Sequence, residues 1–368
     1  MIKLSRYSIG EEELNAIKNV FNDGYLGMGK FVMQFEKELE SFFDNKTHIA
    51  AVNTGTSALH LAIQACGIGN GDEVLIPSIT YVASFQATSA TGATPVACDV
   101  EMTTGCICVK DAETRITKNT KAIMHVHYAG NLGNRDAIFA LAAKYNLRVI
   151  EDAAHSFGST HQGKRIGGSG DITCFSFDGI KNITCGEGGA VVSSDKNITD
   201  KVRDLRLLAV QKDTENRFAG KRTWDFDVTD QGWRYHMSNI NAAIGLEQLK
   251  KIEGFSKTRR TLAKAYVKGL QGIPVQLLDI DLDNVVSHIY PILVANGQRN
   301  ALREFLMERG IETGIHYKPN HLLTKYAATN CPNADYFGES LVSLPIHVGL
   351  TEDDIANVCG CIAEFYTR

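Results

Sequence analysis

The chain has 368 residues, 44% hydrophobic and 22% charged, enough apolar material for a large core, which excludes the fibrous and disordered classes. Its 38 basic and 42 acidic residues leave a formal charge of -4, so no chain-wide positive field exists to hold nucleic acid. The start, MIKLSRYSIGEEEL, is charged too early for a signal peptide and no run approaches the about 18 apolar residues of a membrane span, so a soluble, cytoplasmic protein with no membrane partner is expected. Apolar positions recur at helical spacing over 11–22 and 30–43, joined by the turn-rich GYLGMG at 24–29, a loop suited to closing over a site or merely to linking two helices. HIAAVN (48–53) reads as a strand, GTSALHLAIQACG (55–67) as a helix stopped by glycine, and DEVLIPS (72–78) as a second strand. The alternation continues through SFQATSATGA, TPVACDV, TKAIMHVHY, the helix RDAIFALAAKYN and the strand LRVIED. Strands separated by helices imply an α/β fold with a mainly parallel central sheet flanked by helices, whose ligands bind beyond the carboxyl ends of the strands.

The character changes near residue 245. NINAAIGLEQLKKIEGFSKTRRTLAKAYVKGL reads as one or two long helices, and beyond it come a strand at 287–295, a helix at 299–310, a strand or loop at 315–321, and a last helix with Thr351 and Asp354 placed for a capping box. The expected division is a large unit, 1–245, and a smaller C-terminal α+β unit, 246–368. The nine cysteines are scattered, with Cys106 and Cys108 the one close pair, and without a second pair or suitably spaced histidines no metal site is expected.

The chemistry concentrates in four segments. Lys181, inside FSFDGIKNITCGEGG (175–189), is the candidate Schiff-base lysine, because an amine enclosed by a serine-bearing strand and a glycine-rich loop suits condensation with an aldehyde, and pyridoxal phosphate is the commonest cofactor held so. NTGTSALH runs a strand into a helix start, where backbone N–H groups and the hydroxyls of Thr56 and Ser57 suit a phosphate; the same residues also suit ordinary capping. Ser176 offers a further hydroxyl. Asp152 closes LRVIED and suits the ring nitrogen of such a cofactor or a helix cap, while Glu151 has the opposite strand parity and suits a structural role. His155 suits a contact with the cofactor or ordinary packing, and Tyr81 in PSITYVAS suits stacking on a flat ring or a place in the core. No Walker or G-x-G-x-x-G motif supports nucleotide hydrolysis or a Rossmann site.

Taken together, GYLGMGKFVMQFEKELESF, NTGTSALHLA, GDEVLIPSITYVAS, TKAIMHVHYAG, EDAAHSFGS, FSFDGIKNITCGEGG, GWRYHMSNINAAIG, HYKPNH and LPIH resemble the DegT/DnrJ/EryC1/StrS family of pyridoxal phosphate-dependent nucleotide-sugar aminotransferases, of the fold type I superfamily. The most specific part is EDAA at 151–154 followed by K-x-I-T-x-G-E-G-G at 181–189. The resemblance implies a fold type I transferase with 1–245 as the cofactor-binding domain. It implies Lys181 as covalent anchor and proton shuttle, Asp152 on the ring nitrogen, His155 near the phenolic oxygen, Tyr81 on the ring face, and Thr56, Ser57 and Ser176 on the phosphate. In a homodimer, GWRYHMS would cross to the partner's site and bring Arg234 to a phosphate; many members have Asn where this chain has Arg234 and Arg where it has His236. Lys30, His288, His316, Tyr317 and His321 are the candidate substrate contacts. The implied reaction is a ping-pong transfer from L-glutamate to a nucleotide-linked keto sugar, with the 4-keto group of a 6-deoxyhexose preferred over a 3-keto group, for surface glycan or lipopolysaccharide synthesis. The related sugar 3-dehydratases replace the lysine by histidine, against which Lys181 speaks, and a non-catalytic regulator would not need lysine, aspartate and phosphate site together.

Overall fold

The computed structural model describes residues 1–221, 224–327 and 330–368. A seven-stranded sheet forms its centre: β1 (His48–Val52), β2 (Glu73–Pro77), β3 (Thr94–Cys98), β4 (Thr120–Val126) and β5 (Arg148–Asp152), then, after a two-stranded hairpin of β6 (Thr160–His161) and β7 (Lys164–Arg165), β8 (Ile172–Ser176) and β9 (Gly189–Ser193). The order is β1-β9-β8-β5-β4-β2-β3. β9 runs antiparallel to both its neighbours, and every other pairing is parallel. The strands are short apolar runs buried on both faces, as expected of a sheet covered by helices on each side.

β8 and β9 form a ladder that ends at the Ser176–Gly189 pair, so residues 177–188, with Lys181 among them, are a loop thrown out beyond the carboxyl end of β8. The ends of β1, β2, β4 and β5 lie on that same edge. The GYLGMG segment links the helices Glu11–Asp23 and Lys30–Phe42, and Asn239 pins it by accepting the Gly29 N–H at 3.1 Å and donating to the Tyr25 carbonyl at 2.9 Å. Helix Lys30–Phe42 is locked to β1 from inside: the fully buried Arg206 reaches Glu36 and the Ala51 carbonyl, both at 2.5 Å, and Glu36 also accepts the Ala51 N–H at 2.8 Å. Such a pair holds two elements in one register because neither charge survives burial alone.

One 31-residue helix, Asn239–Gly269, starts at the N-cap Ser238 and passes residue 245 without a break. Ala242, Leu246 and Ile252 belong to a core cluster under the large sheet, while Leu262, Ala263 and Tyr266 belong to the cluster over a second sheet. That sheet has three antiparallel strands, β10 (Val275–Leu277), β11 (Tyr290–Val294) and β12 (Leu341–Leu344). The chain's beginning packs against the same cluster, where Ile2 forms an isolated bridge with Ile311. The HYKPNH segment forms no strand; it holds only a short turn at Asn320–Leu322. The last helix, Glu352–Thr367, has the expected capping box between Thr351 and Asp354. No helix among the described residues is long and apolar enough to cross a membrane.

Candidate active site

A cavity of about 470 Å³ opens at the carboxyl edge of the large sheet. Five strand ends contribute: Thr54, Gly55 and Thr56 follow β1, Thr80 and Tyr81 follow β2, Val126 ends β4, Asp152 and His155 come from the end of β5, and Ser176, Asp178 and Lys181 come from the end of β8 and the loop after it. His316 and Tyr317 close it from the other side.

The anion end is built from backbone. Thr54, not Thr56 or Ser57, is the N-cap of helix Gly55–Ala65, and its hydroxyl accepts the Ser57 N–H at 3.0 Å. The N–H groups of Gly55 and Thr56 are the first two of the helix, with no carbonyl a turn below them. Ser176 packs so close that a methyl on Gly55 would lie 2.7 Å from its Cβ, which is why glycine stands here. Thr56 and Ser176 line the cavity, but Ser57 does not: its hydroxyl donates to Asn53 at 2.6 Å and meets Thr54 at 2.7 Å. Capping chemistry has claimed that side chain.

Asp152 and Glu151 go to opposite faces, as strand parity requires. Burial pushes the Glu151 carboxyl up, but His127 and Arg135 overcome this and draw it down to about 2, with Arg135 donating at 2.6 and 2.9 Å. Asp152 faces the cavity, accepting the Ser84 hydroxyl at 2.8 Å and the Ala154 N–H at 3.3 Å. Burial raises its pKa, since it forms no ion pair among the described residues. Such a carboxylate is suited to a ligand that brings a positive N–H group into the cavity.

Lys181 is its counterpart. Desolvation pulls the amine's pKa down to about 8, against the attraction of Asp152 and Asp178, which makes a free, nucleophilic amine accessible near neutral pH. His155 is buried, with Nε2 3.1 Å from the Tyr317 hydroxyl and Nδ1 without a partner among the described residues. Burial and then Lys181 keep it well below its ordinary pKa, so the ring is neutral. Tyr81 lies 58% exposed at the mouth, its ring centroid 5.6 Å from that of Tyr317. His316 is held by Ser343 at 2.9 Å, and its backbone carbonyl accepts the Tyr128 hydroxyl.

Four other candidate residues do not line this cavity. Lys30 is exposed on its helix and paired with Asp23. His321 is buried, with Nδ1 2.6 Å from Ser78 and Nε2 3.0 Å from Asp335; both nitrogens are spent on fastening the 78–81 loop to the C-terminal part. Arg234 is exposed beside Leu207, with which it forms an isolated bridge. His288 stands behind Lys181 and not in the cavity, its Nε2 3.4 Å from the amine. Sequence reasoning missed Thr54, Asp178 and Glu187; the first had a signal in the N-T-G turn, while the carboxylates at the loop ends had none.

Fit to pyridoxal phosphate follows from these features: a helix start sealed by glycine for an anion, an unpaired buried carboxylate for a ring cation, and a desolvated lysine for an aldehyde. The fold and this constellation define a fold type I pyridoxal phosphate enzyme. The DegT/DnrJ/EryC1/StrS aminotransferase family profile matches residues 7–363. An uncharacterised protein of Methanocaldococcus jannaschii, MJ1066, is 35% identical over 99% of this chain and 97% of its own length. Among solved structures, the aminotransferase TlmJ of Streptoalloteichus hindustanus has a TM-score of 0.92 at 29% identity, covering 100% of this chain and 99% of its own. The sugar aminotransferase CalS13 of Micromonospora echinospora has a TM-score of 0.90 at 28% identity, covering 99% and 100%. The chain belongs to the DegT/DnrJ/EryC1/StrS aminotransferase family, and it is a pyridoxal phosphate-dependent aminotransferase.

The glycine at the anion end gives a direct test. Gly55→Ala is expected to weaken cofactor binding about tenfold or more, because the added methyl must push Ser176 from the helix start. Titration of the apoenzyme with pyridoxal phosphate, followed by absorbance, measures it; unchanged affinity would remove the phosphate from this end.

Proposed function

We propose that this enzyme moves the amino group of L-glutamate to the keto carbon of a nucleotide-linked sugar, with the 4-keto group of a 6-deoxyhexose as acceptor, giving an amino sugar for a surface glycan or lipopolysaccharide. The observation that carries it is the placement of the desolvated Lys181 amine and the buried, unpaired Asp152 carboxylate on one cavity closed by His316 and Tyr317. Pyridoxal phosphate, when bound, supplies an aldehyde that takes up and returns an amino group and a ring that draws electrons from the carbon bearing it. Lys181 would hold the aldehyde, and its amine would take and return the proton at the α-carbon of the donor. Asp152 would keep the ring nitrogen protonated, Gly55, Thr56 and Ser176 would hold the phosphate, His155 would meet the phenolic edge, and Tyr81 would lie on the ring face. His316 and Tyr317 read the sugar.

Residues 1–245 act as the cofactor unit and 246–368 as the unit that closes over it. A second copy completes each site. That reading is supported by Leu208, Trp224, Phe226 and Val228, all exposed apolar side chains on one segment, with Trp224 83% exposed. Arg234 ends the same segment and stands outside its own chain's cavity, as a residue serving the partner's phosphate site would.

The test is the absorbance spectrum of the protein with pyridoxal phosphate before and after L-glutamate. Replacement of the band of the covalently held aldehyde by that of the amine form is expected, followed by recovery of the first band on adding one of a panel of dTDP-, UDP- and GDP-linked 4-keto sugars. A band indifferent to glutamate would overturn the donor; recovery with 3-keto sugars alone would overturn the ring position.

A further inference from the structure

Resting on the reading of Lys181 as the reacting lysine, one neighbour calls for a role. Among the described residues the Lys181 amine has one side-chain hydrogen-bond partner, His288 Nε2, at 3.4 Å and 107 positions away in sequence. His288 is 5% exposed and its Nδ1 has no partner among the described residues. Its ring lies against that of His155, centroids 4.6 Å apart. Its backbone is clamped from the long helix: Arg259, 3% exposed and in no ion pair among the described residues, donates through one Nη to the carbonyls of Ser287 at 3.2 Å and of His288 and Ile346 at 3.3 Å. A separate cavity of about 50 Å³ adjoins the pair, lined by Lys181, His288, Ile180 and His316 and closed by Leu4 and Ser5 of the N-terminal segment.

A reacting lysine must occupy two places, one bonded to the cofactor and one free yet within reach of the substrate carbon. Its four-carbon stem has many rotamers, so an unheld amine spends little time in the productive geometry. The small cavity adjoins the end of that stem, and His288 offers the amine an acceptor on its lining. We propose that His288 is the positioning residue of Lys181: its Nε2 receives the amine whenever the lysine is not bonded to the cofactor and selects the rotamer from which the substrate proton is moved. The imidazole suits this because an imidazolium would repel the amine. Burial, then Lys181, His155 and Arg259, hold His288 well below its ordinary pKa, leaving Nε2 a lone-pair acceptor. The other groups that set the charge of Lys181 are Asp152 and Asp178, which favour the ammonium, and Arg259, which opposes it.

The test compares His288→Phe and His288→Leu, which remove the acceptor, with His288→Gln, which retains one. In the apoenzyme, capture of pyridoxal phosphate against pH should show a midpoint near the Lys181 value of about 8. That midpoint should move to lower pH in the Phe and Leu variants, whose ammonium has lost an acceptor, and stay in Gln. In the loaded enzyme the single-turnover reaction with L-glutamate should slow about 10- to 100-fold in Phe and Leu, with KM changed less than about threefold and most of the rate restored in Gln. Retention of the wild-type midpoint and rate by either apolar variant would overturn the proposal, as would equal impairment of Gln and Leu with native circular dichroism. Borohydride reduction separates this from the parent reading: cofactor fixed to Lys181 in every variant leaves the outcome with His288, whereas no cofactor on Lys181 in the wild type defeats both.

Discussion

Lys181→Ala should lose turnover by about 10⁴-fold or more, since it removes the covalent anchor and the group that carries the substrate proton together. The fold should not suffer. The amine's pKa falls to about 8 because burial disfavours its charge. A folded value below the unfolded one means that this lysine opposes folding at neutral pH, where the unfolded chain carries it charged, and that the penalty fades as pH rises through the ordinary lysine range. Removing it should leave the thermal midpoint of the apoenzyme unchanged or higher at pH 7, with any gain shrinking toward pH 10. Steady-state assay, borohydride reduction followed by mass spectrometry, and thermal melts at two pH values check the three parts. Normal turnover, or cofactor still fixed to the chain at another lysine, would displace Lys181 from the mechanism.

Asp152→Asn should retain cofactor but slow the glutamate half-reaction by about 10²- to 10³-fold, the loss expected when one preorganised charge is removed from developing charge in a dry site. The amide fits the space: Ser84 also contacts Thr80 at 2.9 Å and its hydroxyl is free to turn. What it lacks is the negative charge that keeps a ring nitrogen protonated. The pH dependence follows from the same residue. Burial raises the Asp152 pKa in the apoenzyme, so cofactor affinity of the wild type should fall as pH drops toward the carboxylate range and protonates it. In Asp152→Asn the part of that acid-side loss due to the carboxylate should vanish, leaving the part that comes from protonation of Lys181 near its value of about 8. Affinity titrations from about pH 8 to pH 5 measure it, and an unchanged half-reaction rate would require a different partner for the ring nitrogen.

Much of this was readable in the chain because its causes are local. Apolar periodicity and the glycine and capping signals placed the strands from HIAAVN to LRVIED and most helices, since side-chain spacing within one element decides which face it can bury. Strand parity sent Asp152 and Glu151 to opposite faces, and EDAA with K-x-I-T-x-G-E-G-G carried the family. β9 was not readable as antiparallel, because GAVVS reads alike in either direction and only its ladder with β8 and β1 orients it. Nor did type and neighbourhood tell His316 from His321, both in HYKPNH: the first reaches the cavity, while Ser78, 243 residues away, and Asp335 on the next helix hold the second. Ser57 and Lys30 likewise went to nearer partners than a ligand. The sequence by itself thus determined most elements and the family, and it singled out Lys181 and Asp152 as the candidates for the chemistry; the tertiary structure alone decided which remaining polar side chains face the cavity and that His288 meets Lys181, 107 positions away, because those outcomes depend on packing between segments, which no local pattern encodes.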